Sequence, residues 1–409
     1  MKAWVLHDIN DIRYEDVANS TPAPGEVLVK VEAAGICGSD IPRIYSTGAH
    51  NMPLIPGHEF SGVVISDSLC VDINTPATQF NDKTPNIDSD TCNSWVGKRV
   101  GIFPLIPCKK CKPCLEGHYE MCRNYSYLGS RRDGAFAEYV SVPVWNLIEL
   151  PDLVSFEEAA MLEPMSVAVH AMRIGLGHAS KIESMNVAIT NDSDERVDDN
   201  IDFYYDKTVN KCGNIINNSV KEKNVVVCGL GTIGLLLTQF LLDAGYKNLY
   251  VIGNKDLQKS LAIKIGIAPD HFCDSRVENA TKWLADKTGG TDLFFECVGR
   301  NECISLAVES TAPSGRIVLV GNPYSDITFS RNTYWKILRN QLTVLGTWNS
   351  SFSGEDDDWH YVLQRLATKK VDPLQFITHR FNLSDLDKGL EIMRDKKEEY
   401  CKVMTVSIG

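Results

Sequence analysis

The stretch Asn224–Gly245, NVVVCGLGTIGLLLTQFLLDAG, constrains the fold more than any other part of the chain. Val225–Cys228 is an apolar run without alternation, the pattern of a strand covered on both faces, as in a parallel sheet. The turn Gly229-Leu230-Gly231-Thr232-Ile233-Gly234 follows, and then an apolar helix. Glycines at these three positions let backbone and helix N-terminus approach a pyrophosphate. A glycine triplet alone is weak, but with a strand before it and a helix after it the motif becomes a dinucleotide fingerprint. It commits this part of the chain to an α/β fold, a Rossmann doubly wound parallel sheet, which the strands DLFFECVG and GRIVLVG complete.

In such a unit an acid at the end of the second strand accepts from the ribose hydroxyls of NAD. Here NLYVIGNKDLQK places Gly253, Asn254 and Lys255 there. Without the acid, the repulsion against a 2′-phosphate is gone, and Lys255 with Lys259 can neutralise that phosphate. The reading favours NADP over NAD, with Asp256 the residue that argues the other way.

The region before this unit is of a different kind. From Met1 to about Val64, short strands and turns prevail, with EVLVKVEAAG alternating after Pro24-Gly25. At 409 residues the chain suits two domains. A net charge of −12 argues against nucleic acid as a partner, because phosphate backbones select basic surfaces. Thirteen cysteines and the N-terminal text MKAWVLHDIN, without an apolar signal region, point to a cytoplasmic protein rather than a secreted disulfide framework. No membrane segment is expected: the longest uncharged run, Val225 to Leu242, carries the three glycines. Two polar inserts, 66–95 and 191–223, read as surface segments.

Three stretches carry metal or anion chemistry. Cys37, His58 and Glu59, in CGSDIPRIYSTGAHNMPLIPGHE, offer thiolate, imidazole and carboxylate from separate loops, as a catalytic zinc with an open position requires. Alone, such residues are more often a buried thiol and a satisfied loop histidine. Cys108, Cys111, Cys114 and Cys122 are too close to pair in disulfides without strain, yet they can surround one tetrahedral ion. An iron–sulfur cluster can use similar cysteines, but the lysines at 109, 110 and 112 suit a closed structural zinc on the surface. Arg131 and Arg132, in GSRRDG, are candidates for holding an anion in an acidic protein. In SFEEAAMLEPMSVAVHAM, Ser155 is the expected N-cap with Glu158 three positions on, and Glu163 sits where a second helix starts, either as a dipole partner or as a carboxylate delivered to the site. A last helix is expected from about Ser384, its N-cap, to Lys396.

With these features in view, the chain resembles the zinc-containing medium-chain dehydrogenases, and within them the polyol-phosphate branch. The matching text is CGSDIPRIYSTGAH with PGHEFSG, PLIPCKKCKPCLEGHYEMC, GSRRDGAFAEYV, LEPMSVAVHA, GLGTIGLL and WKILRNQLTVLGTW. The resemblance implies a GroES-like β-rich catalytic domain at 1–165 and 350–409, interrupted by the Rossmann domain at 166–349. It implies one catalytic zinc held by Cys37, His58 and Glu163, with Glu59 a ligand or an exchangeable neighbour, and one structural zinc on the four cysteines. Ser39 falls where the family places the hydroxyl that passes the substrate proton onward. The implied reaction is hydride transfer between a nicotinamide and a polyol phosphate, galactitol 1-phosphate to tagatose 6-phosphate, with Arg43, Arg131 or Arg132 on the phosphate. The alternatives are ribitol 5-phosphate, sorbitol or a related polyol as substrate, or, in a different class, a non-enzymatic NADPH-binding or structural protein. The family also implies a homodimer or homotetramer.

Overall fold

The computed structural model describes residues 1–67, 95–177, 222–353 and 357–407, so the two polar inserts fall almost wholly outside the described residues. The chain divides into two compact units, Met1–Glu163 with Leu363–Gly409, and Pro164–Val362.

The first unit is built on a seven-stranded sheet in the order Ile377–Phe381, Lys402–Val406, Glu26–Ile36, Glu59–Asp67, Arg99–Ile102, Leu147–Glu149, with Tyr139–Pro143 also pairing to Glu26–Ile36. Alternation in EVLVKVEAAGI sends Val27 and Val29 fully into the core, as a half-covered antiparallel strand requires. Register then matters for chemistry. Gly35 lies opposite Glu59 on one neighbour and opposite Met404 on the other, so the start of Glu59–Asp67 and the tail strand Lys402–Val406 flank the end of one strand, directly before Cys37. The helix Leu386–Asp395 seals the unit with Leu386, Leu390 and Met393 in the same apolar cluster. Its N-cap is Asp385, not Ser384, which lies in the short 3-10 turn Leu383–Asp385. Ser155 and Glu158 do form the reciprocal cap expected of them, with Ser155 N donating to Glu158 Oε2 at 2.7 Å and Glu158 N to Ser155 Oγ at 3.2 Å.

The second unit holds a six-stranded sheet, all parallel, in the order Phe272–Asp274, Leu249–Gly253, Val225–Cys228, Thr291–Glu296, Thr311–Leu319, Thr343–Gly346. Numbered along the chain, this is the 3-2-1-4-5-6 order of a doubly wound sheet, with the switch in direction beside the first strand, where nucleotides bind. The chain crosses back to the first unit later than 349/350. Residues 350–362 stay with the second unit because the fully buried Asp358 accepts from Arg173 Nη1 at 2.9 Å and meets His170 Nδ1 at 2.8 Å, while Trp359 Nε1 donates to Ser350 Oγ at 2.9 Å. Among the described residues, no helix is long and apolar enough to cross a membrane.

Candidate active site

Cys37 leaves the central strand and enters a tight turn in which its own N–H donates to Asp40 Oδ2 at 3.0 Å. His58 and Glu59 arrive from the next strand through Gly57, whose φ of +98° and close approach to Phe136 leave no room for a side chain. Donor atoms of Cys37, His58 and Glu59 all lie within 4.8 Å of one another. Thiolate, imidazole and carboxylate in one small volume fit zinc, and three protein ligands leave a fourth position for substrate. Cys37 and Ser39 are partly exposed, so this side of the cluster is open. Ser39 Oγ donates to Cys37 Sγ at 3.3 Å, which puts the expected relay hydroxyl directly beside a ligand atom.

Asp40, Tyr127 and Lys402 complete the cluster, and the sequence reading missed all three. Asp40 is fully buried, with Oδ1 2.5 Å from Arg43 Nη1 and 3.4 Å from His58 Nδ1. The contact with His58 is an ion-pair distance and not a hydrogen bond, since Nδ1 has no hydrogen-bond partner among the described residues, and it sets a carboxylate behind the histidine as metal-binding imidazoles require. Burial alone would lower His58's pKa, but the charges of Asp40 and Cys37 outweigh it and raise the group well above its usual value. Lys402 is buried in the tail strand, forms an ion pair with Glu59 and donates to Ile36 O at 3.0 Å. Gly35 makes the space, since a Cβ there would overlap both Glu59 Oε2 and the Lys402 side chain. Asp40 had a signal in its spacing of three from Cys37, and Lys402 had one as the only charge in the strand text CKVMTV.

Glu163 is buried at the start of the helix Leu162–Leu176, outside the three-donor group, with Oε1 3.2 Å from the Tyr127 hydroxyl. Desolvation, reinforced by the charge of Glu59 and opposed by His58 and Lys402, pushes its carboxyl up to about 7. Tyr127 packs edge-on to His58, ring centroids 5.7 Å apart, and burial followed by the charge of Glu163 raises its phenol well above the usual value.

Cys108, Cys111, Cys114 and Cys122 form the second cluster, again with all sulfurs within 4.8 Å. Cys111 Sγ lies 3.5 Å from Cys114 Sγ and 3.8 Å from Cys122 Sγ. Four sulfurs at zinc–thiolate bond length stand about 3.8 Å apart along a tetrahedron's edge. Backbone amides of Arg123 and Cys114 aimed at Cys111 lower its thiol to about 6, preparing a thiolate. The donor set and its spacing fit a closed structural zinc.

The three arginines part company. Arg132 is engaged in a bidentate pair with Glu26, at 2.7 and 3.0 Å, which ties the turn after Tyr127 to the start of the strand Glu26–Ile36 and commits its guanidinium to a carboxylate. Arg43 is turned to Asp40. Arg131 has no carboxylate partner among the described residues; its guanidinium stacks 4.4 Å from the Tyr125 ring centroid, and its buried Nε has no hydrogen-bond partner.

In the second unit, Gly229 has φ +95°, and a Cβ on Gly234 would overlap the Gly229 carbonyl, so the turn closes only with glycine at both. Gly231 stands at the N-cap of the helix Thr232–Asp243 with open space before it, Leu230 is buried, and Thr232 and Ile233 form the first turn with partly exposed side chains. Gly253 ends its strand, the Asn254 N–H is taken by Gln258 Oε1 at 2.9 Å, and Asp256 pairs with Arg276 at 2.5 Å. Arg276 also holds Asp274 at 2.6 Å.

A chain that carries a phosphate-binding glycine turn in one unit and an open metal-ligand cluster in the other is built for hydride transfer at a metal-held oxygen, the class of metal-dependent dehydrogenases. Residues 23–152 match the family model of the alcohol dehydrogenase GroES-like domain, and residues 232–368 that of zinc-binding dehydrogenase. Galactitol 1-phosphate 5-dehydrogenase of Escherichia coli K12 is 31% identical over 356 residues, covering 87% of this chain and 85% of that protein. Sorbitol dehydrogenase of Bacillus subtilis is 26% identical, covering 99% and 96%. The crystal structure of the E. coli galactitol-1-phosphate dehydrogenase superposes with a TM-score of 0.77 at 29% identity, covering 99% of this chain and 100% of that one. The chain belongs to the zinc-containing medium-chain alcohol dehydrogenase family, and it is an NAD(P)-dependent polyol or alcohol dehydrogenase that acts on small molecules.

Proposed function

We propose that this enzyme oxidises a polyol phosphate to a ketose phosphate, with galactitol 1-phosphate to tagatose 6-phosphate as the leading pair and NADP preferred over NAD. A secondary alcohol gives up its C–H as hydride to NADP⁺ and its hydroxyl proton to solvent, leaving ketone, NADPH and H⁺. Zinc, when bound by Cys37 and His58 with a carboxylate of Glu59 or Glu163, supplies Lewis-acid polarisation of the reacting oxygen. Ser39, 3.3 Å from Cys37 Sγ, is placed to take the hydroxyl proton onward. Cys108, Cys111, Cys114 and Cys122 would hold a second, structural zinc, which would brace the lobe and leave no position for substrate.

The observation that carries the phosphate is Arg131. The Tyr125 ring on which it stacks lies 6.2 Å from Tyr127, itself against His58, so an unpaired guanidinium sits two rings from the metal cluster. Guanidinium meets phosphate in a bidentate fork. Arg131→Ala is expected to raise KM for the phosphorylated substrate roughly 10- to 100-fold, a loss of about 1.5–3 kcal/mol for a charge-assisted contact, with little change for the unphosphorylated polyol. Equal effects on both substrates would remove Arg131 from this role and favour sorbitol or another free polyol.

For the cofactor, the supporting observation is the neutralised acid. Gly253 offers no carboxylate, Asp256 and Asp274 are both engaged by Arg276, and Lys255 and Lys259 stand beside this strand end. NAD and NADP compared at equal concentration should show kcat/KM higher with NADP; preference for NAD would discard the cofactor reading and leave the enzyme intact.

Of the homodimer or homotetramer implied by the family, the dimer finds support in the edge strand Thr343–Gly346, where Val344 is exposed, and in Trp335, Leu338 and Trp348, exposed near it in sequence. Edge strands that expose apolar residues invite pairing with a second copy. Sedimentation equilibrium should give twice the chain mass; a monomer at micromolar concentration would end this assignment. The ten described cysteines are all free thiols, in keeping with a reducing, cytoplasmic setting.

A further inference from the structure

Glu59 and Glu163 are close to the same metal cluster, yet each is held by a different kind of group. Glu59 is bound by a buried ammonium, Lys402, and remains within the three-donor group. Glu163 is bound by a phenol, Tyr127, through Oε1 at 3.2 Å, and lies outside that group. A phenol at neutral pH is a donor of one hydrogen bond in one direction. Its ring is partly buried and packed in turn against His58, centroids 5.7 Å apart at an interplanar angle of 65°, and against Tyr125, 6.2 Å apart at 75°. The hydroxyl therefore has little freedom to follow Glu163 if the carboxylate swings inward.

The geometry points to Tyr127 as the positioning residue that keeps Glu163 out of the resting ligand set, so that Cys37, His58 and Glu59 bind the metal and the fourth position stays open to the substrate oxygen. Tyr127 does this by occupying Oε1 of Glu163. Lys402 acts in the complementary sense on Glu59: it anchors one oxygen while the carboxylate keeps its place among the donors. The two carboxylates, which their sequence positions do not distinguish, are thus separated by their partners. This inference rests on the metal reading given under the proposed function, and its test separates the two.

The test is the variant Tyr127→Phe, which removes one oxygen and keeps the ring, examined alone and together with Glu163→Gln. Zinc affinity of the open site is measured by chelator competition, and its ligand set by the visible absorption of the cobalt(II)-substituted protein. Freed from the phenol, Glu163 is expected to close on the metal. Affinity should rise about tenfold, at the low end of the changes seen when outer-shell partners of metal ligands are altered. The cobalt bands should weaken as coordination rises from four to five, and KM for the substrate should increase as the fourth position becomes contested. In the Glu163→Gln background Tyr127→Phe should have almost no effect on either readout, because the two residues then act as one coupled pair. Unchanged affinity and spectrum in Tyr127→Phe, or the same effect in the Glu163→Gln background, would overturn the role of Tyr127 while leaving the zinc site standing. If His58→Ala left the open-site zinc in place, the metal reading itself would fail, an outcome distinct from the other two.

Discussion

His58→Ala is expected to abolish turnover, lowering kcat/KM by at least about 10³-fold, and to drop bound zinc from two per chain to one. The reasoning starts from the donor count. Cys37, His58 and Glu59 lie within 4.8 Å of one another, and without the imidazole the remaining thiolate and carboxylate cannot hold zinc against a chelator. Loss of the metal removes several kilocalories per mole of polarisation from the reacting oxygen, and nothing else in the cluster supplies it. The fold should survive, since the ring is replaced by a small side chain beside Asp40, which keeps Arg43 at 2.5 Å. Metal analysis with circular dichroism decides the matter. The four-cysteine lobe provides the contrast: Cys111→Ser should lose the other zinc and destabilise residues 108–122 without touching the donors of the open site. Retention of both zincs and of activity in His58→Ala would refute the site.

The second large effect is on stability. Lys402→Met is expected to cost about 3–5 kcal/mol, because Glu59 would be left buried without its cation, and removing one partner of a buried pair exposes the full desolvation penalty of the other. The two side chains are only 3% and 2% exposed, so solvent does little to screen them. For a unit of this size the melting temperature should fall by on the order of 10 °C in zinc-depleted protein. The double variant Lys402→Met with Glu59→Gln should recover much of that loss, since the unpaired charge is then gone. A single-variant shift of only one or two degrees, or no recovery in the double variant, would show that the pair is not the buried contact described. Loading with zinc should lessen the deficit, because the metal shares the charge of Glu59.

Much of the architecture was legible from local text. The run Val225–Cys228, the glycine turn and the apolar helix each follow from short-range patterning, and the parallel sheet was found where they pointed. The Ser155–Glu158 cap and the four cysteines were legible for the same reason: their partners lie three to fourteen positions apart, and sequence spacing fixes geometry at that range. Ser384 failed as a cap because Asp385, the next residue, stood at the true start of the helix, a one-residue difference that capping preferences do not resolve. Residues 350–362 group with the second compact unit, and local text does not show it, because their attachment runs through Asp358 to His170 and Arg173, nearly two hundred positions away.

By itself, then, the sequence determined the class of chemistry: a glycine turn between strand and helix that lets a phosphate approach, cysteines at metal spacing, and an acid missing from the second strand. The tertiary structure decided which charged groups are already engaged. Among the described residues it paired Arg132 with Glu26 and left Arg131 without an acid, set Lys402 on Glu59 across 343 positions, and put Tyr127 on Glu163. The physical reason is one of range. Backbone periodicity and capping act over a few residues and are written in consecutive letters, whereas burial and ion pairing depend on strand register, which brings Gly35, Glu59 and Lys402 together only once the sheet has closed.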